Sequence, residues 1–114
     1  MTTEERLDFL EYRQELLFEN SDYSRLLFEY KVTREQNQAI GDVFDEYRAK
    51  IENGESVSSG VFEQRIYDVV PQERSNYHFA EFLAQTTFEE HRWTEVFEAL
   101  YGNSPKFRHL FDSK

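Results

Sequence analysis

The side chains able to do chemistry in this chain are few and far apart. There are three histidines, His78, His91 and His109, and no cysteine. Two metal ligands on a helix must sit at i, i+3 or i, i+4 to face the same way, and the best pairs that include a histidine are His78 with Glu81 and His91 with Glu95. Isolated pairs of this kind arise by chance in so acidic a chain, and the Glu-x-x-His motif of a carboxylate-bridged dimetal bundle does not occur. The serines gather at Ser56, Ser58 and Ser59 and at helix starts, with no Gly-x-Ser-x-Gly elbow to hold a nucleophile. Gly41, Gly54, Gly60 and Gly102 are too scattered for a phosphate cradle. No catalytic, cofactor-binding or metal-ligating residue is therefore assigned and no cofactor is expected. An enzyme without a recognisable motif ranks third among the functional readings.

The most pointed polar feature is a stripe of carboxylates near the N-terminus. At 100° per residue, Glu4, Asp8, Glu11, Glu15 and Glu19 fall within an arc of about 80° on one helix. Like charges at this spacing repel by only a few tenths of a kcal/mol per pair, so a solvated face is a sufficient account. A basic partner protein is the alternative.

The elements that would carry these residues are helices. Thr2/Glu5, Thr33/Gln36 and Thr87/Glu90 each have capping-box spacing ahead of an apolar periodic run. The first helix is expected from about Thr3 to Glu19, with two apolar sides flanking the acidic stripe. Leu7, Leu10, Leu17 and Phe18 form one side, and Phe9, Tyr12 and Leu16 the other. Either the helix is wedged between two others of its own subunit, or one side meets another subunit. The second reading assigns Phe9, Tyr12 and Leu16 to the interface, with the carboxylates at its rim.

A short helix follows over about Tyr23–Tyr30, then a long one capped by Thr33, whose Ile40, Val43, Phe44, Tyr47 and Ile51 make a single buried stripe. Asn53-Gly54 ends it, and 53–60 reads as a flexible loop. A fourth helix is expected over about Val61–Val70, stopped by Pro71, and a fifth over about Asn76–Gln85, burying Phe79, Phe82 and Leu83. The sixth would start after a Thr87 cap, bury Trp93, Val96, Phe97 and Leu100, and end at Gly102-Asn103. The tail over 103–114 carries Phe107, Leu110 and Phe111, which can dock on the body or on another chain. The sum is an all-α, single-domain bundle of about six helices covering 1–114.

Composition agrees with that class. The apolar content is concentrated in 11 Phe, seven Tyr and one Trp, and only four Gly and two Pro are available for turns. The net charge is −10, with acids exceeding bases by 13 to 7 over residues 1–52 and by 10 to 6 over 53–114. Direct nucleic-acid and anionic-membrane binding need clustered Lys and Arg, and no such cluster exists. The acidic N-terminus lacks a secretory pattern, which favours the cytoplasm.

The stretch Leu26-Leu27-Phe28-Glu29-Tyr30-Lys31-Val32-Thr33-Arg34-Glu35-Gln36, continued through Ala39-Ile40, Val43-Phe44 and Asp45-Glu46, resembles the YhaI-like family of small helical proteins of bacilli. The likeness reaches more weakly to Phe62 and to Phe97-Glu98-Ala99-Leu100. It implies an all-helical, oligomeric fold and carries no activity or functional residue.

The leading functional expectation is a non-enzymatic protein–protein interaction module that forms a homo-oligomer in a bacterial or phage setting. The runner-up is an acidic, DNA-mimicking inhibitor of a basic nucleic-acid-binding protein, of phage or mobile-element origin. Arg48, Lys50, Arg65, Arg74 and Arg92 weaken that second reading, because they dilute the field a mimic needs.

Overall fold

The computed structural model describes residues 2–108. Six α-helices follow one another: α1 (Thr3–Glu19), α2 (Asp22–Glu29), α3 (Arg34–Glu52), α4 (Ser59–Val69), α5 (Phe79–Glu89) and α6 (Thr94–Tyr101), with 3-10 turns at Pro71–Glu73 and Pro105–Phe107. No strand occurs among the described residues, so the fold is an all-α single-domain bundle. No helix among them is long and apolar enough to cross a membrane.

Local chemistry explains most boundaries. The Thr2 hydroxyl accepts the Glu5 N–H at 3.1 Å, and Ser21 and Ser58 cap α2 and α4 in the same manner. At Thr33 the box is complete, since the Gln36 N–H donates to the Thr33 hydroxyl while the Thr33 N–H donates to Gln36 Oε1. Asn20 ends α1 in the left-handed region at φ 52°, and Gly54 follows α3 at φ 75°. The loop after it is short, and Val57 packs against the core.

The boundary between α5 and α6 departs from the sequence reading. Thr87 is not a cap: it lies inside α5, fully buried, and its hydroxyl donates to the Ala84 carbonyl at 2.8 Å. Phe79, Ala80, Leu83, Ala84 and Thr87 share the buried face of α5, and burial of that face carries the helix past the cap-like threonine. The break falls four residues later, where His91 and Trp93 both take positive φ, at 62° and 49°. Neither is glycine, so each costs about 1–2 kcal/mol of backbone strain. Thr94, expected in mid-helix, is the first residue of α6.

The core is built around α3. Ile40, Val43, Phe44 and Tyr47 are buried as one stripe, and Phe62 of α4 meets both Phe44 and Tyr47 edge to face at 5.2 and 5.3 Å. Trp93 is half-buried, stacked on Phe44 at 4.7 Å, with its indole N–H donating to Asp45 at 2.9 Å. At the far end Phe97 is fully buried among Phe88, Tyr101 and Phe107, its ring 4.9–5.3 Å from each of theirs. Phe82 was expected in the core and is exposed; Leu100 and Ile51 are half-buried at its edge. The stripe of α3 packs on α4 and α6, while α2 packs on α5 and α1 packs along α2. Phe107 docks the start of the tail on the body; His109, Leu110 and Phe111 lie outside the described residues.

Candidate interaction surface on α1

The inward side of α1 is the one that carries Tyr12 and Leu16. Tyr12 and Leu16 are 5% and 4% exposed and belong to the chain's own core, with Phe9 half-buried beside them. Arg13 fastens this side to α2: its guanidinium donates to the Phe28 carbonyl at 3.0 Å and lies 3.8 Å over the Phe28 ring. Arg34, at the start of α3, stacks 5.0 Å over Tyr12.

Tyr12 and Tyr23 stand on either side of Asn37. The Tyr23 hydroxyl donates to Asn37 Oδ1 at 2.7 Å. The Tyr12 hydroxyl is sealed without a well-formed hydrogen bond. Burial raises its pKa from 10.0 to about 12, against the opposing pull of Arg34 and of the nearby Asn37 side chain. Burial raises Tyr23 as well, with Arg92 opposing from 4.3 Å over its ring. The Glu90 carboxylate accepts the Tyr23 N–H at 3.0 Å and so ties the start of α2 to the α5–α6 loop.

The assignment of Tyr12 and Leu16 to a subunit interface is thereby corrected, because both are buried in the chain's own core, whereas Phe9 stays half-buried at the edge of an open groove. The opposite side of α1 is the uncovered one. Leu7, Leu10 and Leu17 are 57%, 57% and 55% exposed, and Phe18 is 94% exposed. Both sides repeat at three and four residues, so periodicity gave no preference between them. The choice is made by the partners that reach α1 from later in the chain, the Phe28 carbonyl to Arg13 and Arg34 over Tyr12.

The acidic stripe is not a continuous negative face. Arg34 reaches into it, 3.0 Å from Glu15 and 3.6 Å from Asp8, while Glu4, Glu11, Glu15 and Glu19 stay exposed. The hydrogen bond to Glu15 is the main cause of a raised Arg34 pKa. Between the first turns of α1 and α3 lies an open groove of about 540 Å³ lined by Glu4, Glu5, Asp8, Phe9 and Arg34. Elsewhere acids and bases also alternate, as in Arg65 with Glu46 at 2.9 Å, Lys106 with Glu81 at 2.8 Å, and Arg48 with Glu95.

His78 and His91 stand at opposite ends of α5. His78 stands at the start of α5, 3.7 Å from Glu81, beside a pocket of about 170 Å³ lined by Phe82, Gln85, Lys106 and Phe107. His91 is exposed in the left-handed turn. Among the described residues no three of His, Asp and Glu come together as a metal site would require. Comparisons with protein-family profiles, with curated proteins and with solved structures find no match for this chain.

Proposed function

We propose that this protein is a non-enzymatic protein-interaction module that assembles with itself through the outward face of α1. One observation carries the reading: Leu7, Leu10, Leu17 and Phe18 lie on one side of one helix, each more than half exposed. Large apolar side chains left together in water forgo about 1.5–3 kcal/mol each relative to burial, and contiguous exposed apolar patches mark interaction sites. The rest of the large apolar side chains are mostly enclosed, with Phe44, Phe62, Phe79 and Phe97 all at 0% exposure, so the patch stands out against the body of the bundle. A flat helical stripe also suits another helix better than a small molecule, which takes a concave site.

The acidic-inhibitor reading draws less support. Its field would have to come from carboxylates acting together, and Arg34 sits within the α1 stripe while Arg48, Arg65, Arg92 and Lys106 pair with acids elsewhere.

Light scattering at tens of micromolar tests the proposal, with Leu10→Glu/Leu17→Glu beside the parent chain and circular dichroism confirming that both are folded. An oligomer that the two charges convert to a monomer is expected. A monomeric parent, or an oligomer indifferent to both charges, removes the basis for the proposal.

A further inference from the structure

The outward seam of α1 carries a direction as well as an apolar surface. Leu7, Leu10, Gln14 and Leu17 follow the alternating three-and-four spacing of a two-stranded coiled-coil seam, and all four are exposed. On one flank lie Arg6 and Arg13, on the other Glu4 and Glu11, each set about 60–100° from the centre of the seam by helical geometry. Resting on the self-assembly reading above, we infer that the occupant of this face is α1 of a second copy, parallel to the first and in register with it about a twofold axis along the seam.

Charge complementarity selects the parallel arrangement. When two identical helices pack face to face in the same direction, the flank that carries Arg6 on one meets the flank that carries Glu11 on the other, five residues further along. Symmetry makes that contact twice. In the opposite direction like flanks meet, which sets Glu11 near Glu11 of the second copy and leaves Arg6 with no carboxylate opposite it.

Gln14 selects the same answer independently. In a parallel, in-register pair each seam residue meets its own counterpart, so the two Gln14 amides hydrogen-bond to each other across the axis. In an antiparallel pair each amide faces Leu10 of the second copy and loses its water without a partner. A buried amide left unpaired is disfavoured, and a single polar residue in a leucine seam is a known means of fixing register.

The chain has no cysteine, so a single introduced thiol reports the arrangement without interference. Thr3 is exposed, lies one turn before Leu7 on the same seam and touches none of the apolar contacts. In the parallel pair the two copies of position 3 are adjacent, whereas in an antiparallel pair they lie at opposite ends, about 25 Å apart. Thr3→Cys under mild oxidation is expected to give a disulfide-linked dimer in high yield. In a second arm, Arg6→Glu is expected to weaken the dimer about tenfold at low salt, and Arg6→Glu/Glu11→Arg to restore it. A dimer by light scattering that fails to link through position 3 overturns the parallel arrangement and leaves self-assembly standing, as does equal weakening by the single and double charge variants. A chain that is monomeric by light scattering overturns the self-assembly reading itself, and the present inference with it.

Discussion

Alkaline unfolding tests the packing through the tyrosine hydroxyls. Tyr12, Tyr23 and Tyr101 are each at most 6% exposed, and burial raises all three pKa values, with the Glu63 carboxylate accepting the Tyr101 hydroxyl as a further cause. The folded pKa lies above the unfolded one, so their contribution to stability is intact below pH 10 and is lost as pH rises toward the folded values. At pH 11 a tyrosine that ionises at 10 in the unfolded chain and at about 12 in the folded one costs folding about 1.4 kcal/mol. Three such groups cost about 4 kcal/mol, a large share of the 5–15 kcal/mol typical of a small domain. Helix content by circular dichroism and phenolate absorbance should therefore change together in one cooperative step between about pH 10.5 and 12. Tyr101→Phe should make that step shallower. If all seven tyrosines ionise reversibly near pH 10 while the helices persist, the burial described for these three is wrong.

Phe97→Ala should cost about 3–5 kcal/mol in chemical denaturation, since Phe97 is fully enclosed by three other rings and the cavity cannot readily collapse; an unchanged midpoint would refute its place in the core. Thr33→Ala should cost about 0.5–2 kcal/mol through loss of a reciprocal cap, whereas Thr87→Val should cost less, because the Ala84 carbonyl lies within a helix and the side-chain shape is kept. Equal losses at the two positions would reject the boundaries of α3 and α5. Gly54→Ala should cost about 1 kcal/mol or slightly more from its positive φ alone, as nothing stands within 4 Å of the added methyl; a neutral result would show that the turn relaxes. Arg34→Gln should lower the melting temperature slightly in low salt and leave it unchanged in 1 M salt, since every charge involved is partly solvated.

Where a helix boundary depends on a few adjacent atoms, the sequence was enough. The Thr33 box, the Asn53-Gly54 stop and the Pro71 stop are short-range devices, and the Ile40/Val43/Phe44/Tyr47 stripe needs only a period to be recognised. Thr87 and Trp93 were misread because their states are decided from a distance. Thr87 stays helical because Phe79, Ala80 and Leu83 are buried along with it, and Trp93 accepts a left-handed backbone while its ring lies on Phe44, 49 residues earlier in the chain. The same reason explains α1. Its two apolar faces left two arrangements open, both sides covered within the subunit or one side uncovered. Which side depends on where Phe28, Arg34 and Asn37 arrive after the chain has turned back, and no local signal encodes that.

The attachment of α1 has a consequence for how the molecule opens. Among the described residues its only extensive helix–helix contact is with α2, reinforced by side chains at the start of α3, whereas α2 to α6 are cross-linked by the α2–α5 and α3–α6 packings. Elements held along one seam open in local excursions that leave the rest intact, at a free energy below that of global unfolding. The amides of α1 are then the first to exchange with deuterated water in an isolated chain. If the proposed self-assembly through Leu7, Leu10 and Leu17 holds, their protection will rise with protein concentration while that of α3 will not, which would make the N-terminal helix a conditional element ordered by nearby copies of the chain.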